Sequence, residues 1–414
     1  MAHHRSTGQS QGIKSRGISR GVVSAFLSVV LIAGLVVVWN QLGNRIEDEG
    51  DRAAATCVEG STDVPVMADP ALVPGLTTIA ANYAATSPVI RDHCVTIKVR
   101  AGDAKVALDG LAGSWDTASM GPFPAAWVPQ SSIWSSELIA AKPAAVDGRP
   151  ESLVTSPVVM AMNPDLARAF GDTLTWGQLP TLQTRGNSLA VVDRESWGSL
   201  RMAMPLGTGS DATALSSQAI AAAVTRTTGA LSEADAASQR VASSIGAVLR
   251  TAPPTADGSP VAGVTAIGNS PDPASATIRA VPITEQTLFA ATKDDASARV
   301  TEVVPGGATP IADFPIVKTA GDQVSTVQTD AVADFFAFAN HPEQLTALTS
   351  LGFRGAATMP KPTATVSFPV IENPMPIPEQ GAVIAINRLV YGPGLQPAPA
   401  SATTQAPDTR PSAN

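Results

Sequence analysis

Residues 21–44 carry no charge, and the centre of this stretch, residues 26–39, is apolar throughout apart from Ser28. At 1.5 Å of rise per residue, an uncharged run on the order of 20 residues is long enough to cross the hydrocarbon core of a bilayer as one helix. Arg5, Lys14, Arg16 and Arg20 precede it without an acid, whereas Glu47, Asp48, Glu49 and Asp51 follow it together with Arg45 and Arg52. The positive-inside bias therefore keeps residues 1–20 in the cytoplasm and exports everything beyond the segment. The expectation is a single-pass cell-membrane protein, anchored by residues 21–44, with its bulk extracellular or periplasmic. Ala53-Ala54-Ala55 offers a signal-peptidase alternative, but a charged stretch separates it from the apolar core, so a retained anchor is preferred. A lipoprotein reading is weaker, because Ala54-Ala55-Thr56 before Cys57 lacks the expected leucine-rich lead.

An exported chain folds in an oxidising compartment, and the only two cysteines, Cys57 and Cys94, both fall early in the exported part. Each lies just before a predicted strand, which favours a disulfide over free thiols. Zinc is the poorer alternative, since two thiolates leave a tetrahedral site half filled. Of 27 basic and 35 acidic residues, four basic ones precede the apolar segment, so the remainder carries 23 against 35, a net charge of −12. A body this acidic does not bind nucleic acid by neutralising phosphates. His93 and His341 are the two exported histidines. Neither has catalytic or ligating partners clustered around it in the sequence, and both read as surface or helix-end residues.

Beyond the linker at 45–60, strand and helix patterns alternate. Residues 64–68 form an apolar run; Leu72, Leu76, Ile79 and Tyr83 then recur at helical spacing. Residues 95–99 are β-branched, the following AKVALDGLAG is a short helix closed by glycine, and 125–129 is the next strand. This alternation predicts a parallel sheet with helices on its faces. Residues 155–162 form a long apolar strand, 189–193 another, and an Ala-rich helical region runs from 196 to about 250. Residues 252–273 are a loop by composition, 277–283 a candidate returning strand, 299–304 and DFPIV further strands, and 330–351 two helices broken at His341-Pro342. GAVIAINRLVYG (381–392) is a helix within a Pro/Ala-rich extension at 359–414, whose tail, 395–414, has a disordered composition.

Seven segments occur in a characteristic order: VPVMADPALVPGL (64–76), AAWVPQSSIW (125–134), SLVTSPVVMAMNPDL (152–166), SLAVVDRESWGSL (188–200), VPITEQTLF (281–289), DFPIV (313–317) and GFR (352–354). In that order the chain resembles the type II solute-binding proteins of bacterial transport systems, in particular their molybdate-binding-like branch in actinobacteria. The resemblance covers roughly residues 61–355. It implies an α/β, two-lobed type II periplasmic-binding-protein fold over 61–358 with an extended-strand hinge, lobe I at about 61–157 and 282–358 and lobe II at about 158–281. It also implies a small ligand held between the lobes and an ABC-type transporter or cell-envelope protein as partner. Many relatives of this branch continue into a von Willebrand type A domain; the sequence here ends before one could form, and no DxSxS metal motif is present.

In open α/β sheets ligands gather beyond the carboxyl ends of strands, which selects residues 68–70, 130–134, 155–157, 193–197 and 284–286. The candidate ligand-binding residues are accordingly Asp69, Ser131, Ser132, Trp134, Ser156, Ser196, Trp197 and Glu285. Serine and aspartate before a helix equally serve as N-caps, and that reading stands beside the binding one for Ser131, Ser132 and Asp69. Glu285 fits a first-turn acid favoured by the helix dipole, and tryptophans are frequent packing residues. Molybdate binders end the first strand in serine and free N–H groups; here Asp69-Pro70 supplies a carboxylate and a residue with no N–H. The expected ligand is therefore neutral or cationic.

No nucleophile elbow, P-loop, HExxH or cysteine–histidine array occurs, and Gly207-Thr208-Gly209-Ser210 is an isolated glycine-rich turn. The sequence thus predicts a non-enzymatic protein without a cofactor. It either captures a solute for transport or sensing, or serves as a cell-envelope scaffold that has lost its small ligand. A filled cleft would favour the scaffold; an open one lined by Ser131, Ser132 and Ser196 would favour capture.

Overall fold

The computed structural model describes residues 57–392. The expected cytoplasmic segment at 1–20, the expected membrane anchor at 21–44, most of the linker at 45–60 and the tail at 395–414 lie outside them. Among the described residues no helix is long and apolar enough to cross a membrane.

The chain enters on β1 (Ser61–Ala68), whose residues from Val64 onward are all buried. Full burial follows from its central place, with parallel neighbours on both sides. Helix α1 (Val73–Ala84) then packs Leu76, Ile79 and Tyr83 inward, with Leu72 just before it also buried, the face that helical spacing predicts. After β2 (Val89–Ile90) and β3 (His93–Ala101) come α2 (Ala104–Ala112), capped by the Asp103 carboxylate on the Val106 N–H, and the short α3 (Thr117–Met120). Strand β4 (Ala126–Val128) leads into α4 (Ser132–Ala141), and β5 (Glu151–Ser152) follows. Cys57 and Cys94 are both disulfide-bonded, the one pairing that two cysteines allow.

Strand β6 (Ser156–Met162), buried along its whole length, begins a second sheet. It is followed by α5 (Pro164–Phe170), α6 (Leu179–Thr184), α7 (Asp211–Thr225), α8 (Glu233–Ala236), α9 (Gln239–Thr251) and α10 (Pro260–Gly268). Then come β7 (Ala280–Thr284), α11 (Glu285–Thr292), β8 (Thr301–Val303), β9 (Ile311–Ala312) and β10 (Pro315–Lys318). Helices α12 (Thr326–Ala339), α13 (Pro342–Thr349) and α14 (Gln380–Tyr391) complete the described chain. His341-Pro342 does break the helical stretch, with a capping box of Ser325 and Gln328 at its start.

The first sheet has the order β2-β3-β1-β4-β10-β5 and the second β7-β6-β8, with β9 also paired to β6. Only β3-β1-β4 is parallel: β10 runs against β4 and β5, and every pairing in the second sheet is antiparallel. The wholly parallel sheet expected from strand–helix alternation is thus confined to the first three central strands. Alternation dictates parallel pairing only where each helix returns the chain to the same edge, and β10 arrives from the other sheet.

Two extended runs connect the sheets. Outward, β5 pairs with β10 and β6, a few residues on, pairs with β9; inward, β9 and β10 retrace the same path. A bridge from Thr155 to Arg354 flanks the crossing. The candidate returning strand at 277–283 does not make this passage, because β7 lies against β6 inside the second sheet.

Several local expectations fail for identifiable reasons. Residues 189–193 are apolar yet form a 3-10 turn, Ser188–Val192, closed by Asp193 at φ 57°. The Ala-rich region is three helices, with a 3-10 turn and a loop before α7, and the loop assigned to 252–273 contains α10, capped by Ser259 on Ala262 N. Helix α7 is buried on nearly every side. Its alanine, serine and threonine positions keep it narrow enough for α8, α9, α14 and strands β6, β7 and β9 to pack against it, which is why its hydrophobic pattern lacks a single face.

Candidate functional site

Three of the four sequence candidates at the ends of β1 and β4 enter one buried polar cluster, and Ser132 reaches its edge. Asp69 follows β1 and is 7% exposed; Ser131 follows β4 and is fully buried. The Ser131 hydroxyl donates to Asp211 Oδ2 at 2.7 Å, and Trp134 Nε1 donates to Asp211 Oδ1 at 2.9 Å. The Asp211 N–H in turn donates to Gln130 Oε1 at 3.1 Å. The first residue of α7 thereby satisfies the donors that β4 and α4 present. Ser131 is the N-cap residue of α4 by position, yet its side chain makes no capping bond; the hydroxyl is spent on Asp211 instead. The Ser132 N–H is taken by Asp313 Oδ1 at 2.7 Å.

Asp69 is not a helix N-cap either. Its Oδ1 accepts from the Ala71 N–H at 2.9 Å and its carbonyl from Leu72 N, a turn preceding α1, which starts only at Val73. Burial pushes its carboxyl up to about 6, against the Ala71 N–H and with a small addition from Asp103. Burial pushes Asp211 up to about 7; the Ser131 and Trp134 donors oppose this, and Asp69 and Asp313 reinforce it. Burial also raises Asp313. Three neighbouring acids thus share one buried cluster, each held above the usual carboxylate range. Among the described residues, no group of three or more His, Cys, Asp or Glu side chains is arranged to hold a metal ion.

Helix α14 closes this region from outside. Its Asn387 Nδ2 donates to the Ile133 carbonyl at 3.1 Å and to Glu137 Oε1 at 3.2 Å, and Gln380 Nε2 donates to the Ser136 carbonyl at 3.0 Å, all on α4. At its N-terminus the Glu379 N–H donates to the Leu231 carbonyl, and Glu379 Oε2 accepts from the Glu233 N–H of α8. The Tyr391 ring lies 5.0 Å from that of Trp134, and burial, then the Asp211 charge, hold its phenol well above the usual range.

The other candidates are elsewhere. Ser156 is buried on β6, where its hydroxyl accepts from the Gln286 N–H at 2.9 Å and ties the strand to α11. Glu285 opens α11 with no exposed surface, and Arg354 grips it from both sides, Nε to Oε2 at 2.7 Å and Nη2 to Oε1 at 2.6 Å. Its carboxylate is therefore paired within the body. Burial first, and Glu285 second, push neighbouring Glu302 up to about 7. Ser196 and Trp197 sit in the 3-10 turn Glu195–Trp197, and the Trp197 ring carries the Arg279 and Arg194 guanidinium groups at 5.6 and 5.8 Å. It lines a separate cleft of about 290 Å³ with Asp165, Arg168 and Arg194, so stacking there is with arginine.

Next to the closed cluster lies a cavity of about 560 Å³. Ser132, Ile133, Ser135 and Ile139 of α4 form one wall, Leu215 and Gln218 of α7 another; Thr155, Ile311 and Asp313 of the crossing runs and the segment 375–378 complete it. Gln218 is 2% exposed, and its Nε2 has no hydrogen-bond partner. Sequence reading missed Gln218, Asp211, Asp313 and Arg354, and it reached Gln130 only as part of the strand end 130–134. Asp211 was signalled by the Ser210-Asp211 helix start after the glycine-rich turn, and Asp313 and Arg354 stand in DFPIV and GFR; no local pattern marks Gln218.

Two sheets joined by paired extended runs, each flanked by helices, make this the fold of the type II periplasmic binding proteins. Solved structures with that fold include the ferric binding protein from Campylobacter jejuni, 11% identical, TM-score 0.52, matching 79% of this chain and 97% of that one. Iron-bound HitA from Pseudomonas aeruginosa is 12% identical with a TM-score of 0.52, matching 80% of this chain and 99% of that one. An ABC transporter structure from Clostridium perfringens ATCC 13124 is also 12% identical at 0.52, matching 80% and 98%. No family model matches the chain. In sequence it is similar to the uncharacterized proteins Rv1836c and MT1884 of two Mycobacterium tuberculosis strains, H37Rv and CDC 1551. It is 34% identical to each over 367 residues, which is 87% of this chain and 52% of either relative. The chain thus spans about half the length of the curated relatives it matches.

Proposed function

We propose that this protein is a non-catalytic binding protein of the cell envelope, anchored by residues 21–44 with its body outside. It captures a small molecule for transport or sensing, in the cavity between α4 and α7 and not at the strand ends. The observation that carries this reading is the 560 Å³ cavity itself, which falls within the size range that encloses a drug-sized ligand. The order of sequence segments characteristic of the molybdate-binding-like branch supports a solute-binding ancestry. An ABC-type transporter is the expected partner. The iron named for two of the structural neighbours is not carried over, because no suitable donor set is assembled among the described residues.

A second reading is a scaffold that keeps the fold without a small ligand. The closure of the strand-end cluster by Asp211 and the bracing of α4 against α8 by α14 favour it.

Thermal unfolding of the full chain against oxyanions, sugars, polyols, amino acids, cations and uncharged amides separates the two. Capture predicts a concentration-dependent rise in midpoint with one class. A midpoint unmoved by every compound would leave the scaffold reading in its place.

A further inference from the structure

We infer that the cavity takes an aliphatic amine, with its ammonium group seated on the Asp313 carboxylate and its hydrocarbon body along the apolar walls. This inference rests on the capture reading and names its ligand class. The direction of Asp313 follows from the run that carries it. Ile311, Asp313 and Pro315 line the cavity, whereas Ala312 and Phe314 between them do not and are fully buried. Alternate residues of an extended run point the same way, which puts the Asp313 side chain on the cavity side. Its surroundings agree. The residue keeps some exposed surface, yet burial raises its carboxyl, the combination expected of a group that faces an enclosed space.

Asp313 Oδ1 accepts from the Ser132 N–H at 2.7 Å, at the start of α4, where the helix dipole favours a negative charge. No base answers that charge: among the described residues Asp313, Asp211 and Asp69 form no ion pair. The other charged residue of the wall, Arg149, is exposed to solvent, with exposed Asp147 and Glu151 close to it in sequence. Hydroxyls are at hand for the remaining N–H groups of an ammonium, which carries three donors. That of Ser132 lies beside the Asp313 carboxyl, and those of Ser136 and Thr155, in the same wall, have no partner among the described residues. Ser132, Ser136 and Ile139 share one face of α4, so its polar start passes into an apolar wall that Leu215, Ile311 and Met375 continue. An anion would be buried against Asp313, and an uncharged molecule would leave the carboxylate without a counter-charge. A metal ion would meet too few ligands, since no group of three or more His, Cys, Asp or Glu is assembled among the described residues.

The test uses the full chain and three probe series of matched chain length, from butyl to octyl: alkylammonium chlorides, alkanols and alkylcarboxylate salts. At about pH 8 the amine is protonated and an ordinary carboxyl ionised. The wild-type midpoint should rise with the ammonium series, more for longer chains, and at concentrations roughly tenfold below those the alkanols need. Asp313→Asn keeps an oxygen for the Ser132 N–H. It should weaken ammonium binding about tenfold and leave the alkanol response unchanged, which also separates the cavity from the acids of the outer surface. Alkanols or carboxylates that match or exceed the ammonium series on wild-type protein overturn the inference, a comparison that needs no variant to fold. Equal ammonium affinity in wild type and Asp313→Asn overturns it as well. If sugars, amides or another class shift the midpoint and the amines do not, the ligand class is wrong while capture stands. If no compound of any class shifts it, both fall.

Discussion

The Ser131 hydroxyl, at the end of β4, donates 2.7 Å to the carboxylate of Asp211, the first residue of α7 and 80 positions away in sequence. Trp134 Nε1 holds the other oxygen of the same carboxylate. In a solute-binding fold the groups following a strand are free to meet a ligand; here an internal carboxyl meets them.

Stability should depend on the charge of that carboxyl. Burial raises Asp211 from 3.8 to about 7 and Asp69 to about 6, so between these values and the unfolded value the folded state holds protons that the unfolded state releases. Folding is then favoured by acid, fully below pH 4, and the stabilisation is lost as pH rises through 6 to 7. The midpoint should climb between pH 8 and pH 5. Asp211→Asn, which keeps one oxygen for Trp134 and one amide for Ser131, should be more stable than wild type at pH 8 and show a shallower slope. Glu302, raised to about 7, retains part of it. A wild-type midpoint that falls steadily from pH 8 to 5 contradicts the assignment.

The Glu285–Arg354 pair should behave as a buried ion pair that is costly to break and cheap to replace. Arg354→Ala strands a fully buried carboxylate and should cost about 3–5 kcal/mol in urea unfolding. The double substitution Glu285→Gln with Arg354→Met should recover most of that loss. If the double variant is as unstable as the single one, the pair is not the source of the cost.

Helix α14 should contribute directly to the body's stability. Ile386 is fully buried in its inner face, and Ile386→Ala should cost about 2–5 kcal/mol. Asn387→Ala removes two of the three hydrogen bonds to α4 and should cost roughly 1 kcal/mol or more. Chemical denaturation of each variant, with an unchanged m-value, checks both figures.

Reduction tests the disulfide. Joining Cys57 to Cys94 closes a loop of roughly 40 residues, for which chain entropy gives about 4 kcal/mol. Unfolding in the presence of a thiol reductant should occur at a lower midpoint, and Cys94→Ser should reproduce the shift without reductant. Insensitivity to both would show that the loop is held by other contacts.

What was legible in the sequence is what local chemistry encodes. The α1 face, the break at His341-Pro342, β6 and the cysteine pairing each follow from spacing or residue type within a short window. The order of seven segments pointed to the fold, although the mixed first sheet did not follow from strand–helix alternation. The strand-end rule brought Asp69, Ser131, Ser132 and Trp134 to one place, but it could not say what would meet them. Asp211 comes from another sheet's helix, and Arg354 reaches Glu285 across 69 positions; such partners are fixed by tertiary packing, which no local pattern carries. Trp197 illustrates the converse: the strand-end rule offered its ring to a ligand, and two arginines lie over it.

The most direct test of the account compares the ligand response of two variants with that of wild type, using whichever compound raises the wild-type midpoint. Asp211→Asn alters the closed cluster and leaves the cavity wall intact, whereas Ile139→Trp fills the cavity from a partly exposed wall position and leaves the cluster intact. The account predicts that the shift survives Asp211→Asn and disappears in Ile139→Trp. A shift lost in Asp211→Asn and retained in Ile139→Trp would contradict it and return the binding site to the ends of β1 and β4.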